Sequence, residues 1–185
     1  IPSDAIVFGF VGRITRDKGI NELLSAFKTV LAELPNSYLL IVGNPEITPA
    51  VDMSLYQWAQ ENPHSIFCGS TNVVEQYLSA MDAYILPSYR EGFGMVVVEA
   101  EAMGVPVIVT DIPGPTDAML PDETGLLVKK ADVDSLVAAM KELARSPEKR
   151  QRFGAAAQKF AAESFEQQHL YQAILQDRKR LLSEE

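Results

Sequence analysis

Between Ala5 and Val128 the chain returns repeatedly to short runs with hardly a polar residue: AIVFGFV (5–11), YLLIVG (38–43), SIFCG (65–69), AYILP (83–87), VPVIVT (105–110) and GLLV (125–128). A strand with one face in water alternates apolar and polar residues. Strands apolar at nearly every position need cover on both faces, which is the condition of a parallel sheet wrapped by helices. The intervening segments supply those helices. Ile20, Leu23, Leu24, Phe27, Val30, Leu31 and Leu34 repeat with helical spacing, and shorter helical stretches surround Leu55, Trp58 and Ala59 and occupy 73–81, the latter headed by Thr71 or Asn72 as cap. From Asp132 the pattern is helical almost to the end, with breaks expected at Pro147 and around Ser164 and Phe165. Strands alternating with helices predict a doubly wound, Rossmann-like α/β domain.

Composition narrows the partners. The 185 residues are 47% hydrophobic and 22% charged, which suits one globular domain with a substantial core. A formal net charge of -9 makes nucleic acid and acidic membrane surfaces poor partners for the domain as a whole, so any phosphate site must be a local positive spot. Cys68 is the single cysteine and reads as a small buried hydrophobe; with no disulfide and no Cys/His cluster at metal-ligand spacing, a reducing, intracellular setting is expected. No apolar run approaches the ~20 residues of a membrane span. Because the chain starts at Ile1, it is read as a piece of a longer protein.

In doubly wound sheets ligands bind beyond the carboxyl ends of the strands, so the informative residues are those that follow each strand. The stretch SYREGFGMVVVEAEAMG (88–104) places Glu91 directly before a Gly-Phe-Gly turn and Glu99 eight residues later. The helix after Gly94 is apolar all round and is expected to be buried, with Glu99 on an inside surface and Glu101 at a solvated edge or in an ion pair. Polyol hydroxyls donate to carboxylates, and phosphates accept from helix N-terminal amides. A sugar nucleotide presents both kinds of group, so the acids can hold sugars while the turn between them holds phosphate. Arg13 and Lys18, in the loop after the first strand, supply the cations that a diphosphate requires.

Other motifs have simpler readings. Gly92-Phe93-Gly94 lacks the third glycine of the dinucleotide fingerprint, since residue 97 is Val. Asp132-Val133-Asp134 has the form of a metal-binding D-x-D but stands where a helix cap belongs. His64 and His169 lie away from the candidate loops and read as structural or exposed, and Arg178-Lys179-Arg180, with Asp177, Glu184 and Glu185 nearby, reads as a solvated helix end.

The segments FVGRITRDKG (10–19), PSYREGFGMVVVEAEAMGVPVIVTD (87–111) and ETGLLVKKADVDSLVAAM (123–140) resemble the C-terminal, donor-binding domain of retaining glycosyltransferases of the GT-B fold, group 1 or family 4 class. The spacing from Glu91 to Glu99 matches that family's E-x7-E signature, and the resemblance runs through roughly residues 6–165. It implies that Arg13 and Lys18 contact the diphosphate, that Glu91 accepts hydroxyls of the transferred sugar, and that Glu99 holds the ribose. It further implies that backbone amides of Phe93, Gly94 and Met95 meet sugar and phosphate oxygens, with Gly12, Gly92 and Val96 completing the donor surface. Gly43 and Asn44, with Gly69, Ser70 and Thr71, would line the base. Glu91, Arg13 and Lys18 would be the catalytic contributions of this domain, with no metal and no cofactor beyond the substrate.

The implied reaction moves a hexose from a UDP-, GDP- or ADP-linked donor to an acceptor hydroxyl with retention. The loop TDIPGPTDAM (110–119) resembles those of bacterial enzymes of capsule or lipid-linked polysaccharide assembly. Residues 1–165 would form the nucleotide-sugar domain, and a helix at 166–185 would cross to an N-terminal acceptor domain, exposing Leu170, Ile174, Leu181 and Leu182 when that domain is missing. The 185 residues alone would transfer nothing. The full enzyme would be cytoplasmic, peripheral to the inner face of the cell membrane. Two alternatives stand beside this reading: a non-catalytic nucleotide-sugar-binding module, and a GT-B-fold epimerase or phosphorylase.

Overall fold

A computed structural model of the chain describes residues 1–165. The helix expected at 166–185, with its apolar positions, His169 and the basic run 178–180, lies outside the described residues. Six strands form one sheet: β1 (Ile6–Val11), β2 (Ser37–Val42), β3 (Ser65–Gly69), β4 (Ala83–Leu86), β5 (Val107–Thr110) and β6 (Gly125–Val128). Their order is β3-β2-β1-β4-β5-β6 and every pairing is parallel. The helices are α1 (Ile20–Glu33), α2 (Met53–Glu61), α3 (Val74–Leu78), α4 (Met95–Ala102), α5 (Val133–Arg145) and α6 (Pro147–Phe165). This is the expected doubly wound architecture.

Alternate strand residues serve opposite layers. Phe8, Phe10, Leu39, Ile41, Ile85 and Ile108 pack with α1, α2 and α5, whereas Val7, Val11, Leu40, Val42, Tyr84, Leu86, Val107 and Val109 pack with α3 and α4. Both faces are apolar because both are covered. Strand order reverses direction between β1 and β4, whose carboxyl ends therefore diverge into a crevice.

One boundary differs from the sequence pattern. The helix expected over 73–81 shortens to 74–78, and the Thr71 hydroxyl accepts from the Val73 amide one residue before it. The chain must leave α3 early so that Asp82 can exchange two hydrogen bonds with Val7, its amide donating to the Val7 carbonyl at 2.7 Å and its carboxylate accepting from the Val7 amide at 2.8 Å. The Pro147 break is present, and α6 is described as far as Phe165, in the region where the second break is expected and at the edge of the described residues. It starts with Phe153 in the α1 layer and ends with Phe165 against the α4 layer.

Candidate functional site

Beyond the carboxyl ends of β1 and β4 lies a cleft of about 200 Å³. Val11, Tyr84 and Leu86 at the strand ends belong to its lining, together with Gly12, Arg13 and Lys18 from the first loop and Glu91, Gly94, Met95 and Val96 from the fourth. Lys18 ends a single 3-10 turn over Arg16–Lys18, and its Nζ meets Glu91 Oε2 at 2.5 Å. Both side chains are largely buried, at 17% and 18% exposure. The Gly92 amide donates to Glu91 Oε1 at 3.2 Å, and the buried Ser88 hydroxyl stands 3.5 Å from Oε2. Arg13 instead reaches Glu46, after β2, at 2.8 Å, in an ion pair more than half exposed on both sides. Such pairs contribute little, so Arg13 is released from Glu46 at small cost.

The Tyr84 phenol donates to the Val11 carbonyl at 3.4 Å. Burial, and then the charges of Glu91 and Glu99, push its pKa well above the usual value, so it stays a neutral donor. The apolar β4 run gave no reason to single this residue out.

The opposite wall is the start of α4. The Val97 amide folds back onto the Gly94 carbonyl at 2.7 Å, and the amides of Met95 and Val96, in the first turn, have no intrahelical acceptor. They add the positive end of a helix dipole beside Lys18. Gly114, after β5, fixes this turn from behind: its φ is 99°, and a Cβ there would lie 1.8 Å from the Gly92 carbonyl oxygen. No other residue permits two backbones to approach so closely.

One turn further along α4, Glu99 opens onto a neighbouring cleft of about 470 Å³, lined also by Thr71, Asn72, Val74 and Glu75. Burial and the nearby Glu75 charge raise the Glu99 pKa. The loops after β1, β2 and β3 are laced together by backbone bonds. The Gly12 amide donates to Val42 at 2.9 Å, the Gly43 amide to Gly69 at 2.7 Å, and the Ile14 amide to Asn44 at 2.9 Å. Gly12, Gly43, Asn44 and Gly69 thus form one continuous rim, with Ser70 exposed next to Thr71. Arg13, Lys18, Glu91, Gly94, Met95 and Val96 share the first cleft; Thr71 and Glu99 share the second.

The sequence matches the family of glycosyl transferases group 1 over residues 1–160. The chain belongs to that family. The capsular polysaccharide biosynthesis glycosyltransferase CapM of Staphylococcus aureus is 32% identical over 172 residues, covering 93% of this chain and 45% of CapM. Among solved structures, sucrose-phosphate synthase from Thermosynechococcus elongatus superposes with a TM-score of 0.84 at 28% identity, covering 100% of this chain and 47% of the synthase. Anabaena HepE, solved in complex with UDP, superposes with a TM-score of 0.86 at 22% identity, covering 96% of this chain and 50% of its own. The chain spans about half the length of the curated relatives it matches. The solved neighbours are GT-B glycosyltransferases, and the match is consistent with this chain being a C-terminal domain of that fold.

Within this group 1 domain the two acids of α4 exchange the places expected of them. Glu99 is exposed at the cleft, while Glu101 is fully buried and neither of its carboxyl oxygens has a hydrogen-bond partner among the described residues. Burial pushes its pKa up to about 7, with the Thr124 hydroxyl acting in the opposite sense. That hydroxyl donates to the Leu120 carbonyl. The helix is not buried all round either: Met95 and Met103 are exposed. Phe93 lies outside the cleft lining, 40% exposed, and packs edge-on against Phe165 at 5.6 Å between ring centroids.

Asp132 is a helix cap, accepting from the Ser135 amide at 2.9 Å. His64 is structural, with Nδ1 2.9 Å from the Ser37 carbonyl and its ring on Tyr38. Cys68 is half-buried against the α4 layer, and burial raises its thiol pKa.

Proposed function

We propose that this chain is the donor-binding half of a retaining glycosyltransferase that moves a hexose from a nucleoside-diphosphate sugar to an acceptor hydroxyl. One observation carries the reading: Lys18 and Glu91, from loops far apart in sequence, face each other at 2.5 Å in a cleft walled by the first-turn amides of α4. A diphosphate would take Lys18, Arg13 and those amides, while Glu91, released, would accept hydroxyls of the sugar. The departing diphosphate gains negative charge as the bond to the anomeric carbon breaks, and fixed cations and amides in a shielded site stabilise that charge. The proposed mechanism uses neither a side-chain base from this domain nor a metal, and Asp132 of the D-x-D sequence serves as a helix cap.

The second cleft would take the ribose at Glu99 and the base along the 69–71 rim. HepE supports a nucleotide partner in so far as it was solved with UDP. CapM, named for capsular polysaccharide biosynthesis, favours capsule or lipid-linked polysaccharide assembly. We place the full enzyme in the cytoplasm at the inner membrane face, joined to an N-terminal acceptor domain. Among the described residues no helix is long and apolar enough to cross a membrane.

Steady-state kinetics of Lys18→Ala and Glu99→Ala in the full-length enzyme test the proposal. Lys18→Ala is expected to lower kcat/KM for the donor by about 100-fold, the scale of one lost charge-stabilising donor, and Glu99→Ala by about tenfold or more, the scale of a lost hydrogen bond to a charged acceptor, each with an unchanged circular dichroism spectrum. Near-normal turnover in both contradicts it, and product formed without acceptor points instead to an epimerase or phosphorylase.

A further inference from the structure

The loops that carry Lys18 and Glu91 are tied together outside the cleft by a cluster that none of the site assignments uses. Its centre is Glu22, in the first turn of α1, with a side chain only 11% exposed. Oε2 accepts from Arg16 Nη1 at 2.7 Å and Oε1 accepts from the Tyr89 hydroxyl at 2.7 Å. The Arg16 guanidinium lies 4.4 Å from the Tyr89 ring centroid, and the Tyr89 amide donates to the Asp17 carbonyl at 2.8 Å. Arg16 stands two residues before Lys18, and Tyr89 two residues before Glu91.

We infer that Glu22 and Tyr89 are positioning residues that set the gap between the Lys18 ammonium and the Glu91 carboxylate. None of residues 16–18 is buried, so apolar packing does not anchor the tip of this loop. Polar bonds must hold it, and two of those join it directly or through Glu22 to the loop of Glu91. The Tyr89 phenol remains a donor, because burial first and then the Glu22 carboxylate push its pKa above the usual value. A ligand that reaches from Lys18 to Glu91 must separate the pair, and their backbones then have to stay at a fixed spacing while the side chains open. A clamp behind the cleft supplies that spacing without touching the ligand.

The inference rests on the proposed assignment of diphosphate to Lys18 and sugar to Glu91, and it makes a distinct demand. A nucleoside diphosphate needs only the Lys18 side, whereas its sugar conjugate needs both loops in register. Calorimetric titration of the full-length enzyme with UDP, GDP and ADP and with their glucose conjugates identifies the pair that binds, and the variants are then titrated with that pair. In Tyr89→Phe and in Glu22→Gln, affinity for the conjugate is expected to fall about tenfold, the scale of one charge-assisted hydrogen bond, and affinity for the diphosphate by less than about twofold. In a Glu91→Gln background, Tyr89→Phe should add no further loss for the conjugate.

Equal losses for both ligands, with or without a lower melting temperature, overturn the inference in favour of a merely structural cluster. So do unchanged affinities, or losses that add to that of Glu91→Gln. Failure of the native enzyme to bind any member of the panel overturns the proposed function itself, and the inference with it.

Discussion

Replacing Glu101 by glutamine keeps the shape of a buried side chain and removes its charge. The native carboxyl is fully buried without a hydrogen-bond partner among the described residues, and its pKa rises from the usual 4.5 to about 7. Below pH 4.5 the group is protonated in both folded and unfolded chains and costs nothing extra. Between that value and about 7 the unfolded chain releases the proton while the folded one keeps it, so stability falls as pH rises; above about 7 the loss is complete. At about 1.4 kcal/mol per pH unit, the interval corresponds to about 3 kcal/mol.

Glu101→Gln should therefore unfold at nearly the native denaturant midpoint at pH 4.5, and be about 3 kcal/mol more stable than the native chain at pH 8. Urea titrations of the chain at both pH values, followed by the fluorescence of its single tryptophan, Trp58, measure the difference. A stability difference independent of pH would refute the account of Glu101 as an uncompensated buried acid.

Gly114→Ala should push the Gly92 carbonyl out of place and cost about 1–3 kcal/mol of backbone strain, lowering the melting temperature and raising the donor KM together; an unaltered KM would show that the 91–92 turn does not depend on this contact. Asp132→Ala should cost about 1 kcal/mol of stability by calorimetry through loss of a helix cap, with no change in transfer rate. Transfer by the native full-length enzyme should persist in excess EDTA, and its abolition and recovery on adding a divalent cation would contradict the metal-free reading. Phe10→Ala, in the centre of the α1 layer, should destabilise by about 3–5 kcal/mol in chemical denaturation.

The fold was legible because its strands are apolar on both faces, a pattern that only a covered parallel sheet explains, and because α1 repeats at helical spacing. The rim loops were legible for a geometric reason: once a sheet is parallel, residues that follow strands gather at one end. Glu99 and Glu101 were misplaced because α4 is apolar at almost every position, so no periodicity distinguishes its inner from its outer side. Which cation meets which acid was not legible either. Lys18 with Glu91 and Arg13 with Glu46 are tertiary pairings between loops far apart in sequence. Glu22 is, by sequence, one more polar residue near a helix start, and nothing local shows that Arg16 and Tyr89 converge on it. The approach of Gly114 to Gly92 has no sequence signal beyond glycine itself.

The central claim is that the crevice beyond β1 and β4 clasps an activated sugar through Lys18 and Glu91. Thermal-shift measurements on the full-length protein with UDP, GDP, ADP and their hexose conjugates test it directly, since a ligand bound only by the folded state raises the melting temperature. At least one diphosphate and its conjugate should stabilise the native protein, and Lys18→Ala should abolish both shifts. Stabilisation that survives in Lys18→Ala, or no stabilisation by any member of the series, would contradict it.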